Sequence, residues 1–273
     1  MTLTVGLDIG GSKILGVLVD GDGAVVAEHL AMTPRGDVRA VEDALIAVVD
    51  HLRAATDRPV SALGVGAAGL VDVRRGVVLH SAHLPWRDEP LRARLAERTG
   101  LAVTLDNDAT AAAWAEQRHG AGAGAPDMLF VALGTGIGGA IFSGGRLVRG
   151  RTGLAGEFGH VQVVPDGRPC PCGLRGCWER YCSGTALAES TMPEVAHWLA
   201  VGLGGLVATF DPDVVVLGGG LGVPGTGLLT HAETHLRDHL TGGAHRPAPR
   251  LVYAALGPRA GALGAAGLAA TGH

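Results

Sequence analysis

The chain opens with three short runs of apolar, largely β-branched residues, "LTVGLDIG", "KILGVLVD" and "AVVAEHLAM", parted by a glycine pair and the turn "DGDG". Runs of this length bounded by glycine and aspartate predict strand, turn, strand, strand. Over 41–54 the apolar positions change to helical spacing and predict an amphipathic helix. "ALGVGAAGLVD" reads as a buried strand entering a glycine-rich loop, "GVVLHS" as a further strand and 88–99 as a helix. "LAVTLDND" is then a strand ending in polar residues, and "ATAAAWAEQRHG" is a helix that Gly120 stops.

The theme restarts at "DMLFVALGTGIGGAIFSGGRLV", which predicts strand, glycine turn, strand and strand again. A cysteine-containing loop follows. Residues 193–210 read as a helix, "DVVVLGGGLG" as a strand with a glycine loop, 226–240 as a helix, "PRLVYAAL" as a strand and 259–270 as a closing helix. Two halves with the same opening suggest duplicated α/β domains, and a cleft between such halves is a usual place for a ligand. The expected division is a small domain of residues 1–115 plus the closing helix 259–273. The large domain is then 116–258, carrying the cysteine loop 156–182.

Composition narrows the class. The chain has 273 residues, 47% hydrophobic and 18% charged, with net charge −4. That balance argues against a binder of nucleic-acid backbones, which needs clustered Lys and Arg. Lys13 is the only lysine among 22 basic residues, an arginine bias that suits a GC-rich coding sequence. The start "MTLTVGLDIGG" has neither a basic nor an apolar leader, so no signal peptide is expected. No apolar stretch free of turn residues is long enough for a membrane span. Four cysteines, three of them within eight residues, suit a reducing cytoplasm and a metal rather than a disulfide framework.

Three glycine loops each follow an apolar strand: "DIGGSK" at 8–13, "GTGIGG" at 134–139 and "GGGLG" at 218–222. Each alone reads as a tight hairpin. Together they suggest turns whose backbone N–H groups reach an anion that a Cβ would block. None fits the Walker pattern, and a strand rather than a long helix follows "GTGIGG", which argues against a dinucleotide fold. Asp8, at a strand end, either caps its turn or holds Mg²⁺ through water. Ser12, Lys13 and Thr135 supply hydroxyls and a cation for phosphate oxygens.

Asn107 and Asp108 stand where a strand gives way to a helix. Asn and Asp are favoured N-caps, but capping uses one of three polar residues. Asp108 is therefore the candidate acceptor for a substrate hydroxyl proton in phosphoryl transfer. In "GEFGHVQVVPDGRPCPCGLRGCWE", Cys170, Cys172 and Cys177 have the chemistry of a structural Zn²⁺ site, with His160 or Cys182 as fourth ligand; free loop thiols are the alternative.

"DIGGSK", "LDNDATAAAWAE", "GTGIGG", "GEFGH" and "CPCGLRGCWE" occur in the order found in ROK proteins (repressors, uncharacterised reading frames and sugar kinases). The chain resembles most the actinobacterial glucokinases of that group, and "GAAGLVD", "HLPWRDEPL" and the C-terminal segment extend the likeness nearly end to end. The resemblance implies an actin-like α/β fold of two duplicated, ribonuclease H-like domains with an interdomain cleft. It implies an ATP-dependent hexose 6-phosphotransferase, with glucose as first expectation and Asp108 as base. Asn107, Glu157, His160 and Glu179 would bind sugar hydroxyls, with Gly69 and His83 nearby. Asp8, Gly10, Gly11, Ser12 and Lys13 would hold ATP phosphates together with Gly134, Thr135, Gly136 and Gly138. Gly218, Gly219 and Gly220 would lie by the nucleoside. His160, Cys170, Cys172 and Cys177 would ligate zinc, whose task is to aim His160, Glu157 and Glu179. A homodimer or homotetramer is implied too.

Two features depart from the family's pattern. Many members have a longer helical stretch after "CSGTALAES", where Met192 and Pro193 follow here almost directly. Many sugar kinases of the group carry Pro before the glycine of the loop that reads "AAGLVD", and Asn at the place of His83. N-acetylmannosamine, fructose and allose therefore stay open as substrates, and polyphosphate as donor. A family repressor would need a helix-turn-helix ahead of the first strand, for which the sequence leaves no room. A non-catalytic sugar-binding protein is the remaining alternative.

Overall fold

The computed structural model describes residues 2–272. They form two compact units. One runs from the N-terminal strand to Ala115 and takes in Arg149–Leu154 and the segment from Pro258; the other comprises Glu116–Val148 and Ala155–Gly257.

The first unit begins with β1 (Leu3–Ile9), β2 (Lys13–Val19) and β3 (Val25–Met32), followed by α1 (Val38–Ala54), which Asp37 caps by accepting the Arg39 N–H. Next come β4 (Val60–Ala67), β5 (Leu70–Asp72), β6 (Val77–His80), β7 (Arg87–Glu89), α2 (Leu91–Thr99), β8 (Ala102–Asn107) and α3 (Asp108–His119). Its main sheet has the order β3-β2-β1-β4-β8, antiparallel on the β2 side of β1 and parallel from β1 to β8. β5, β6 and β7 form a separate small antiparallel sheet.

Two expectations shift here. The strand in "ALGVGAAGLVD" ends at Ala67 before the glycine loop, as read, but Leu70–Asp72 beyond it is a strand of the small sheet rather than loop. The helix read over 88–99 starts only at Leu91, because Arg87–Glu89 pairs with β6 and Asp88 takes φ 49°. Pro90, lacking an N–H, then sits naturally at the helix start.

The second unit repeats the plan. β9 (Met128–Leu133), β10 (Ile137–Ser143) and β11 (Arg146–Leu147) are followed by the cysteine loop, α4 (Gly184–Leu187), α5 (Met192–Phe210), β12 (Val214–Gly218), α6 (Leu228–His239) and β13 (Arg250–Tyr253). Its sheet order, β11-β10-β9-β12-β13, has the same sequence of antiparallel and parallel pairings as the first. α7 (Ala260–Ala270) belongs to the first unit.

Small residues decide how closely helices sit on the first sheet. α1 packs where Gly16 leaves room for Val48 and Leu52, on the face that Leu7 shares by register. α7 takes the opposite face. A Cβ on Gly6 or Gly64 would run into the α7 backbone, so the sequence "AGALGAAGLAA" matches glycine on the strands with alanine and glycine on the helix. Leu3, Leu7, Leu45, Leu63 and Trp86 anchor this unit's core. Leu129, Trp178, Leu203 and Val215 anchor the other.

Candidate active site

In the first unit the glycine pair closes a tight hairpin. The Gly10 N–H donates to the Lys13 carbonyl at 3.0 Å, and the Thr33 hydroxyl donates to the Gly10 carbonyl at 2.8 Å. Gly11, Ser12 and Lys13 are exposed at its tip. A Cβ on Gly11 would stand 2.5 Å from the Cβ of His83, so the loop bearing His83 is seated against this turn.

Asp8, Gly66 and Asp106 form one row across β1, β4 and β8. Gly66 keeps the middle of that row free of side chain, and the start of α3 enters there: a Gly66 Cβ would lie 3.5 Å from the Asp108 Cα. Asp8 and Asp108 thus share a partly buried region. Burial, aided by the charge of Asp108, pushes Asp8 up to about 7. Burial raises Asp108 as well, against the pull of the Ala109 amide, which donates to its Oδ1 at 2.8 Å.

Asn107 is the cap of α3, accepting the Thr110 N–H at 3.1 Å, while its Nδ2 donates to the Gly69 carbonyl at 3.1 Å. Gly69 has φ 126°, and a Cβ there would meet the strand end at His80 and Ser81. The capping and ligand readings of "DND" therefore divide by residue. Asn107 caps, Asp106 pairs, and Asp108 stands at the first position of α3 with the Ala109 N–H on its Oδ1. The partner of Asp106 is Arg149, whose Nη2 and Nε donate to Oδ2 at 2.7 and 3.2 Å. Asp106 is 1% exposed, so this pair fixes Arg149–Leu154 beside the strand end that leads into Asp108.

In the second unit the turn after β9 is closed by the Gly134 N–H donating to the Gly136 carbonyl at 3.0 Å. The start of α4 packs on it: the Gly184 N–H donates to the Gly134 carbonyl at 2.7 Å, and the Thr185 hydroxyl to the Thr135 carbonyl at 2.7 Å. Leu133, Gly134, Thr135, Gly184, Thr185, Gly220 and Leu221 line a cavity of about 470 Å³. Of the third glycine loop, Gly220 reaches this cavity. Gly218 is the last residue of β12, packed on Phe130, and Gly219 adopts φ 78° against Leu133.

The glycines of "GTGIGG" also seat "GEFGH". Gly139 gives its side-chain space to the Phe158 ring, Gly159 lies against Ile137, and a Cβ on Gly136 would meet Glu179 Oε2 at 2.5 Å. Phe158–His160 is a single 3-10 turn that presents Glu157 and His160 from its two ends.

His160, Cys170, Cys172 and Cys177 bring their ligand atoms within 4.8 Å of one another. Cys172 and Cys177 sulfurs are 3.6 Å apart, and Cys170 Sγ is 3.9 Å from His160 Nδ1. Ligands around tetrahedral zinc, at about 2.3 Å for sulfur and about 2.0 Å for nitrogen, stand roughly 3.5–3.8 Å apart. The donor set and spacing fit that ion. Cys182 is elsewhere, fully buried with Trp178 and Val195 in the core. Glu179 joins the cluster as a neighbour, accepting the Cys170 thiol at 3.1 Å and lying 3.7 Å from His160 Nδ1.

The sequence reading passed over Arg149, Gly184 and Thr185. "SGT" after a cysteine does carry a cap signal, and Ser183 accepts the Ala186 N–H at 3.1 Å. Arg149 had no local signal, since its partner is 43 residues away.

The ROK family matches residues 4–193 and 187–271, and the chain belongs to it. A glucokinase of Streptomyces coelicolor is 36% identical over an alignment of 313 positions, which covers 98% of each chain. Because this chain has 273 residues, at least 40 of those positions have no counterpart in it. The crystal structure of a ROK family glucokinase from Streptomyces griseus in complex with glucose and AMPPNP superposes with TM-score 0.89 and 38% identity, covering 98% of this chain and 99% of that one. A ROK hexokinase from Thermus thermophilus gives TM-score 0.88 and 34% identity, at 99% of both chains. These likenesses bear out the actin-like α/β sugar kinase fold. The two family matches overlap at 187–193, where α4 ends and α5 begins. No helix among the described residues is long and apolar enough to cross a membrane.

Proposed function

We propose that this chain is an ATP-dependent hexose kinase that phosphorylates the 6-hydroxyl of glucose. Full-length similarity to glucokinases supports the reaction, and the placement of Asp108 beside Asp8 at the head of α3 carries its assignment to residues.

Asp108 accepts the proton of the attacking hydroxyl. It need not be a strong base, because in-line positioning and charge neutralisation lower most of the barrier in phosphoryl transfer. Asp8 would hold the magnesium of the MgATP substrate through water, and a dication there would favour the charged forms that burial opposes at Asp8 and Asp108. The backbone turns at Gly10–Lys13 and Gly134–Gly138 offer N–H groups to phosphate, with Ser12, Lys13 and Thr135 adding side chains. The cavity at Thr135, Thr185 and Gly220 receives the nucleotide.

Asn107, Glu157, His160 and Glu179 are assigned to the sugar hydroxyls, and Gly69 and His83 to the same substrate. Zinc on His160, Cys170, Cys172 and Cys177 supplies structural cross-linking and fixes the imidazole tautomer. With Nδ1 directed to the cysteines, His160 must carry its proton on Nε2, where it donates to a hydroxyl. The four unbridged cysteines suit a reducing cytoplasm. A homodimer or homotetramer is the proposed assembly, checked by light scattering.

A coupled assay with a panel of hexoses and with ATP or polyphosphate as donor tests the reading. Glucose with ATP should give the highest kcat/KM. Phosphorylation of no hexose by the zinc-loaded protein would leave a sugar-binding protein instead, and a better rate with N-acetylmannosamine would change the substrate.

A further inference from the structure

Helices α5 and α6 meet closely at a glycine. A Cβ on Gly204 would stand 2.5 Å from the His239 carbonyl oxygen and 2.9 Å from its Cβ, so a side chain there would push α6 away. His197 is seven residues before Gly204 and shares its face of α5. On α6, His235 and His239 are one turn apart and share a face likewise. The outcome is three half-buried imidazoles gathered between two helices. The His197 ring centroid is 5.6 Å from that of His235 and 5.5 Å from that of His239, both in edge contact.

Apolar packing alone gives no reason for this choice, since Leu or Phe would bury more carbon in the same space. The spacing has a chemical meaning. Two imidazoles sharing one ion through nitrogens at about 2.1 Å place their ring centroids about 5–5.5 Å apart, close to the separations seen here. The rings are not yet aimed: among the described residues, His160 and the three cysteines are the group whose ligand atoms already cluster. The histidine χ2 torsion is broad and soft, so turning the rings costs little.

We propose that His197, His235 and His239 form a second metal site, a three-nitrogen set for a borderline divalent transition ion such as Ni²⁺, Cu²⁺ or Zn²⁺. The ion cross-links α5 to α6. The site is separate from the sugar kinase chemistry and does not depend on it.

Trp198 provides the readout, with its ring 5.4 Å from that of His197. Zinc-loaded protein is titrated with Ni²⁺ by calorimetry and with Cu²⁺ by tryptophan fluorescence. One further equivalent should bind, with quenching by Cu²⁺. His235→Gln or His239→Gln should weaken it more than about tenfold, the loss that even an outer-shell partner can cause. The variant lacking all three histidines should lose it. His51→Gln should keep it, and circular dichroism checks that each variant folds. Absence of the extra equivalent in the parent protein overturns the site. So does equal binding by the triple variant.

Discussion

Nδ1 of His160 faces Sγ of Cys170 across 3.9 Å, while Nε2 of the same ring lies 3.9 Å from Glu157 Oε2. One imidazole therefore has one nitrogen on the cysteine side and the other beside the "GEFGH" carboxylate. If the cysteine cluster exists to set that ring, disturbing it should affect sugar recognition selectively. Cys172→Ser should lower the zinc content and raise KM for glucose by about tenfold to a hundredfold, with KM for ATP nearly unchanged. Metal analysis and steady-state kinetics check this. An equal rise in both constants would mean that the loop only holds the unit together.

Asp108→Asn keeps the shape of the side chain and removes the proton acceptor. Turnover should fall by about 10²–10⁴-fold, the usual contribution of a general base. Glucose affinity, measured by calorimetry, should stay within a few-fold of the parent. Retained turnover would remove Asp108 from its assigned role.

Asp8 gives a pH-dependent signature. Its carboxyl holds a proton up to about pH 7 in the folded chain but only to 3.8 in the ordinary unfolded one. Its share of stability is therefore complete below the unfolded value and is lost as pH climbs towards 7. Asp8→Asn should leave urea stability unchanged near pH 4 and raise it by roughly 1–3 kcal/mol at pH 8, measured without Mg²⁺. The same variant should lose Mg²⁺-dependent turnover. A stability change of equal size at both pH values would refute the burial argument.

Arg149→Gln leaves Asp106, 1% exposed, without its charged partner. Breaking one side of a buried pair costs about 3–5 kcal/mol. Adding Asp106→Asn should restore part of that loss, as coupled residues do. Denaturation of the three variants gives the coupling, and additive losses would show that the two groups act independently.

Continuous apolar runs and glycine punctuation made the strands of both main sheets legible, because local turns set the pairings within β1–β3 and within β9–β11. The chain segment at Arg87–Glu89 was not legible. Its three polar residues look like a helix entrance, and only pairing with Val78 and His80 makes them a strand. The candidate site was readable where one residue carries the chemistry, as at Asp8, Asp108 and the cysteines. It was less readable where glycine also serves packing: Gly139 and Gly218 leave the space of a side chain to Phe158 and Phe130. Arg149 and Thr185 escaped because their roles arise from contacts 43 and 50 residues away.

Thr191 and Glu194 bond reciprocally at the head of α5, and Pro193 stands in its first turn. That helix consequently starts itself and borrows nothing from whatever precedes it. The link just before Thr191, at residues 189–190, is thus a seam in the molecule, where an engineer could splice in a reporter or an affinity handle without unpicking the cap that starts α5.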